Sequence, residues 1–265
     1  MKRTLDSLVA QDYQNIEIVI SDNASTDDTQ LICEEYQARF HYIRYQRFNE
    51  NMGSGENFAR VLRESNGIYF MWGCGHDLWS SNYVSECVIL LQEHAKSVVA
   101  FGSSSWIDQN DIFLKKESGY TDTRGMEIIA RYFSVFWGNV HPILGLIRTD
   151  LIKQYPIRSI VGEDMVALSY LALHGDFIHA PKASWSRREF RFESSYKERL
   201  NRYHGNEQQV TRNWLDRTLP LARLPLALVS TVLKSDVPFT VKLSIILLLI
   251  PTLPVRHFSG KRQYK

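Results

Sequence analysis

The chain has 265 residues, 44% of them apolar and 23% charged, with 31 Lys and Arg against 29 Asp and Glu. That size and balance define one large domain, or a domain with an appendage, and exclude a disordered chain, a fibre and a polytopic membrane protein. A net charge of +2 lacks the basic excess of a nucleic-acid binder, so no nucleic-acid partner is expected. The first residues carry Lys2 and Arg3 but then read TLDSLVAQDYQN, without the apolar stretch of a secretory leader. Cys33, Cys74 and Cys87 are odd in number and form no CxxC pair, which argues against a disulfide framework or a zinc ribbon. Both features point to a reducing, cytoplasmic setting.

Periodicity alternates along the first half. Residues 16–20 (IEIVI) read as a buried strand that ends in the polar cluster SDNASTDD. Ile32, Tyr36 and Phe40 recur four apart, one face of a helix, and a second strand is expected at 41–45. The segment GSGENF (53–58) has glycine spacing like a dinucleotide-binding turn but carries Phe58 at the sixth position and follows a polar loop, so it fails that test. A third strand, IYFMW (68–72), leads straight into the loop GCGHD; Val84, Cys87, Val88 and Leu91 then mark a helix and VVAF (98–101) a fourth strand. In the second half, helices are expected at 125–137 and from Asp164, with a strand at 177–180. This alternation predicts an α/β fold with a mostly parallel central sheet flanked by helices, which presents ligands at the carboxyl ends of its strands.

Four groups of residues stand out. Asp22 and Asn23 follow the first strand; capping explains Ser25 or Thr26 but leaves Asp22 over, a carboxylate able to accept from a base N–H or a sugar hydroxyl. His76 and Asp77 close the third strand, either as a solvated turn or as a partial shell for a divalent cation. Glu163 and Asp164 open a helix, where acidic residues favour the helix dipole and where one of them could serve as a general base. Arg187, Arg188 and Arg191 follow the 177–180 strand and fit either a diphosphate or a solvated basic face.

Three segments, SLVAQDYQNIEIVISDNASTDDT, NENMGSGENFARVLRESNGIYFMWGCGHDLWSSNYV and GEDMVALSYLALHGDFIHAP, together resemble the family 2 glycosyltransferases of the GT-A fold over about residues 5–190. The resemblance implies that Asp22 contacts the nucleotide base, that Asn57 sits in a loop beside the donor, that the metal site falls at Gly75–His76–Asp77, and that Asp164 is the catalytic base. It implies inverting transfer from a nucleotide sugar to a glycan or lipid-linked acceptor, with Mn²⁺ or Mg²⁺ as cofactor, in cell-surface polysaccharide synthesis; the rival is a degenerate, non-catalytic module that binds a nucleotide or a partner. Two departures are visible. Members usually open with a strand reading like VSVIIPTYN, whereas this chain starts at the helix that would follow it, and Gly75 and His76 stand where acidic residues are usual. The imidazole of His76 favours Mn²⁺ over Mg²⁺.

The transferase domain is expected over residues 1–200 and a C-terminal helical extension over 201–265. There LPLALVSTVL and LSIILLLIPTLPV are apolar blocks. Leu243–Val255, interrupted by Pro251 and Pro254, is shorter than the roughly 20 residues a spanning helix needs. Framed by Lys242, Arg256, Lys261, Arg262 and Lys265, it reads either as a segment lying at the cytoplasmic face of a membrane or as core helices of the domain.

Overall fold

The computed structural model describes residues 1–118, 122–189 and 222–260. Its strands are β1 (Ile18–Asp22), β2 (Ile43–Arg47), β3 (Tyr69–Phe70), β4 (Leu78–Trp79), β5 (Ser97–Ile107), β6 (Phe113–Ser118), β7 (Leu146–Arg148) and β8 (Asp176–Arg188). Its helices are α1 (Lys2–Val9), α2 (Thr29–Arg39), α3 (Ser54–Glu64), α4 (Tyr83–Glu93), α5 (Ile128–Trp137), α6 (Thr149–Ile152), α7 (Glu163–His174), α8 (Arg223–Lys234) and α9 (Phe239–Gly260), with a 3₁₀ turn at His141–Leu144.

The strands form two sheets. β1 and β2 pair in parallel, Ile18 opposite Ile43 through to Asp22 opposite Arg47, joined by the α2 crossover. Ile18, Ile20 and Ile43 pack with Cys33 and Tyr36 of α2 and Leu5 of α1 into a small core of their own. The second sheet runs in the order β3-β7-β5-β8-β4, with β6 beside β5. Its spine is the long parallel pair β5 and β8, whose inner residues Val99, Ala100, Phe177 and Ile178 are fully buried between α4 and α7. Among the described residues no strand pairing joins β1 to β3, so the larger sheet and the smaller one end on different strands.

The α/β architecture, the flanking helices and the apolar C-terminal helix are as the sequence predicts, but the strand directions are mixed rather than mostly parallel. β3/β7, β5/β7, β5/β6 and β4/β8 are antiparallel. Chain length explains it: β6 returns from β5 through five residues, too few for the crossover that a parallel partner needs. β4 and β7, at two and three residues, leave no period to read.

Two helices also depart from the sequence reading. α3 occupies the glycine-rich stretch read as a loop, beginning after Gly53 at φ 85° and burying Leu62; a Cβ on Gly55 would lie 2.5 Å from Ser159 Oγ, so close packing rather than helix propensity decides this segment. α9 runs through Pro251 and Pro254. Pro251 forfeits the bond to the Leu247 carbonyl, at an exposed position, and Thr252 Oγ1 bonds the next carbonyl, Leu248, at 2.7 Å. The helix therefore reaches 22 residues, and Phe239–Arg256 has the length and apolarity to cross a membrane by those criteria alone.

Candidate active site

The loop after β3 folds tightly on itself. The carbonyl of Cys74 accepts from the amides of His76 (2.8 Å) and Asp77 (3.1 Å). The turn gathers the Cys74 thiol, the His76 imidazole and the Asp77 carboxylate so that one ligand atom of each lies within 4.8 Å of the others. His76 Nε2 is 3.5 Å from Asp77 Oδ1. Asp77 is buried, and burial pushes its pKa up to about 6 against the opposing influence of a backbone bond from Arg188 and the charges of Arg187 and Arg188. A sulfur, a nitrogen and an oxygen donor around one point, with a carboxylate that lacks full solvation, suit a divalent cation.

Arg188 holds this turn in place. Its amide donates to Asp77 Oδ1 (3.0 Å), its Nε to the His76 carbonyl (2.9 Å), and a terminal nitrogen to the Asp108 carbonyl (2.7 Å). Its other terminal nitrogen meets Asp111, which also binds Arg3 of α1. The loop between β5 and β6 is thereby tied to both α1 and β8. A cleft of about 440 Å³ opens between these parts, lined by Met1, by Lys2, Arg3 and Thr4 of α1, by Ile32 of α2, and by His76, Gln109 and Arg188.

Asp22 ends β1 at 3% exposure. Ser25 N donates to its Oδ1 (2.8 Å), while Tyr45 Oη (2.8 Å) and Arg47 (2.6 Å) donate to Oδ2. Burial alone would raise its pKa; the bonds from Ser25, then Tyr45 and Arg47, outweigh burial and hold the carboxyl below its ordinary range. Asn23 reaches the loop before α3, donating to Asn51 Oδ1 (2.8 Å) and accepting from Met52 N (2.8 Å). Asn57 lies in the first turn of α3, its Oδ1 buried without a hydrogen-bond partner among the described residues. So Asp22, Asn23 and the α3 loop form one group, and His76, Asp77 and Arg188 another; Ile32 of α2 brings the β1–β2 unit to the wall of the cleft that His76 lines.

The two acidic residues of the GED triplet differ. Gly162 takes φ 89°, a left-handed turn open to glycine, and starts α7. Glu163 is buried, accepting from Tyr155 Oη (2.7 Å) and Arg158 N (2.8 Å). Burial raises its pKa to about 7, with the neighbouring Asp164 charge adding and Tyr155 and Arg158 opposing. Glu163 therefore braces the turn into α7, while Asp164 beside it is only partly buried.

The sequence reading missed His141. Its Nδ1 lies 2.8 Å from Ser104 Oγ and its Nε2 3.2 Å from an Arg187 nitrogen. A guanidinium can only donate, so Nε2 is the acceptor and Nδ1–H donates to Ser104, which defines a neutral tautomer. Burial first, then the Arg187 charge, lowers its pKa to about 4. Arg187 also stacks 4.6 Å over Trp106. Adjacent strand residues point to opposite faces, so Arg187 joins this aromatic group while Arg188 serves the turn. No sequence motif joins residues 104, 106, 141 and 187: the β5/β8 register sets Trp106 beside Arg187, and the 3₁₀ turn brings His141 to Ser104 and Arg187. Cys74, by contrast, carried a signal in the spacing Cys74-Gly-His76-Asp77.

The mixed sheet is flanked by helices, and the His76–Asp77 turn and Arg188 border one cleft. The chain belongs to glycosyl transferase family 2, which it matches over residues 1–151. It is 29% identical over 158 residues to an uncharacterised glycosyltransferase of Rickettsia typhi, a match covering 58% of this chain and 48% of that protein, so it spans about half the relative's length. Its fold is similar to that of S. aureus TarS 1–349 in complex with UDP-GlcNAc, with a TM-score of 0.65 and 18% identity over 97% of this chain and 68% of that one. It is also similar to GalNAc-T7 with UDP, GalNAc and Mn²⁺, with a TM-score of 0.51 and 12% identity over 72% and 41% of the two chains. These likenesses identify the fold as GT-A.

Proposed function

We propose that this chain transfers a sugar from a nucleotide-diphosphate donor to a hydroxyl of a glycan or lipid-linked acceptor, with inversion, in the assembly of cell-surface polysaccharide. The observation that carries the reading is the meeting of the His76–Asp77 turn with Arg188 at one cleft, in a chain of this family. TarS, which shares the fold, is known in complex with UDP-GlcNAc, and a nucleotide sugar is accordingly the donor class here.

The roles follow from chemistry. Asp22, ionised and fixed by three donors, presents its charge to the base; Asn23 and Asn57 hold the donor from the α3 loop. Arg187 and Arg188 neutralise the diphosphate. His76 and Asp77 would hold a divalent cation, which when bound would offset charge on the departing diphosphate. Asp164 accepts the proton of the acceptor hydroxyl as its oxygen bonds to the anomeric carbon. The carbon–phosphate oxygen bond breaks on the opposite face, which inverts the centre, and the nucleoside diphosphate leaves with the electron pair.

Residues 1–200 are the transferase domain in this reading and 201–265 an extension; the boundary lies outside the described residues, as does Arg191. The extension meets the cytoplasmic face of a membrane, bringing a lipid-linked acceptor to the cleft. Phe239, Leu243, Leu247, Ile250 and Val255 of α9 are exposed, an apolar face too long to be incidental. Ile245 and Leu249 on the other side are buried in the main core, so α9 lies along the interface and is not surrounded by lipid.

Calorimetric titration of the full chain with UDP-GlcNAc and other nucleotide sugars tests the donor reading. Saturable binding to the wild type that weakens in Asp22→Asn is expected; failure of every nucleotide sugar to bind the folded protein contradicts it. The rival non-catalytic module predicts binding without turnover.

A further inference from the structure

We propose that Cys74 joins His76 and Asp77 as a third metal ligand, making this turn a thiolate–imidazole–carboxylate site that takes Zn²⁺ in preference to Mg²⁺. The inference rests on the reading of this turn as the cation site and adds both the ligand and the selectivity. Three observations carry it. The sulfur, the imidazole and the carboxylate converge within 4.8 Å. His76 Nε2 and Asp77 Oδ1 stand 3.5 Å apart, a separation long for a hydrogen bond. It matches the ~3.3–3.5 Å between an imidazole nitrogen about 2.0–2.1 Å and a carboxylate oxygen about 2.0–2.2 Å from one tetrahedral ion. Finally, the turn is pre-formed: two amides bond the Cys74 carbonyl, and Arg188 fixes both the His76 carbonyl and the Asp77 carboxylate from outside, the outer support that keeps ligands oriented.

The chemistry then decides between ions. Mg²⁺ demands six oxygen ligands and gains little from sulfur or imidazole. Zn²⁺ and Co²⁺ accept all three donor types, and three protein ligands leave positions for water or phosphate oxygens. His76 lines the cleft, which gives such ligands a route in. On binding, the Cys74 thiol becomes a thiolate and its proton goes to solvent; no electrons are exchanged. The other two cysteines do not compete, since Cys33 and Cys87 are both fully buried and Cys74 is partly exposed.

Co²⁺ titration of the metal-free full chain tests this directly. One equivalent is expected to produce a near-ultraviolet sulfur-to-cobalt charge-transfer band, abolished by stoichiometric Zn²⁺ and untouched by a large excess of Mg²⁺. In Cys74→Ser the band disappears and Zn²⁺ affinity falls at least roughly tenfold. A cobalt spectrum without the charge-transfer band, or a band unchanged in Cys74→Ser, overturns the proposal. Should that variant misfold, thiol labelling of the wild type decides instead: Zn²⁺ slows modification of Cys74 and Mg²⁺ does not, and equal rates with both ions refute the site. Nucleotide-sugar binding without the band removes Cys74 but keeps the donor reading; the band without nucleotide binding does the reverse.

Discussion

Arg188 and Asp77 are joined through the backbone: the Arg188 amide lies 3.0 Å from Asp77 Oδ1, while the guanidinium of the same residue bonds the His76 carbonyl at 2.9 Å. The end of β8 thus fixes a turn 111 residues earlier in the chain. Arg188→Ala keeps the amide bond but releases the His76 and Asp108 carbonyls and Asp111. Hydrogen bonds to charged groups contribute about 1.5–3 kcal/mol each, so a loss of that order is expected in denaturant unfolding, together with weaker cation binding. Arg188→Lys restores little, because one ammonium cannot reach three acceptors in a fixed fork. Wild-type stability in Arg188→Ala contradicts the clamp.

Asp164 and Glu163 are adjacent yet separable. Asp164→Asn is expected to lower turnover about 10²–10⁴-fold with donor affinity nearly unchanged, because the amide keeps the shape but cannot take a proton. Glu163→Gln is expected to act on stability first, through Tyr155 and Arg158. Unchanged turnover in Asp164→Asn moves the base elsewhere.

Titration of two buried carboxyls and one partly buried imidazole gives the stability a two-sided pH dependence. Glu163 and Asp77 have folded pKa values raised to about 7 and about 6, above the unfolded carboxylates. The native state holds extra protons there, so this contribution is present at pH 4 and lost as pH rises through 6 and 7. His141, lowered to about 4 from 6.5, works oppositely: its contribution is present above pH 6.5 and lost as pH falls toward 4. Thermal melts of Glu163→Gln are expected to decline less between pH 5 and 8 than those of the wild type. Nitrogen-15 spectra should show His141 neutral at pH 5.5, and an imidazolium there contradicts the assigned tautomer.

The exposed side of α9 yields a test that spares the core. Deleting the helix would uncover the sites of Ile245 and Leu249, which are buried, whereas Leu247→Ser with Ile250→Ser alters only its outer face. The double variant is expected to float poorly with vesicles containing anionic lipid while melting near the wild type, since surface changes usually cost less than about 0.5 kcal/mol. Equal flotation, or a wild type that ignores such vesicles, refutes membrane contact.

Much of this arrangement is written in local pattern. The IEIVISDN run locates β1 and its terminal Asp22 because a β-branched strand ends in a polar loop, and the Val84–Leu91 spacing locates α4. What escapes is held by long-range packing. α3 begins at Gly53 and Gly55, which weaken any helical signal, and tertiary packing holds it, with Leu62 buried and Gly55 set close against Ser159. The His141 group depends on strands β5 and β8 lying in register, Trp106 beside Arg187, a relation no window of sequence contains. The prolines of α9 suggest a broken segment, yet the helix continues because the Leu247 carbonyl, which Pro251 leaves without its amide, sits at an exposed position where water can satisfy it.

Sugar transfer at the cleft beside His76 and Asp77 is read by mass spectrometry of reaction mixtures. Full-length protein, a divalent cation and a panel of nucleotide sugars including UDP-GlcNAc are incubated with and without hydroxyl acceptors, and the release of free nucleoside diphosphate is followed. Release from at least one donor by the wild type is expected, reduced by about 10²-fold or more in Asp164→Asn. Folded protein that binds a donor and releases no nucleoside diphosphate under any of these conditions contradicts it.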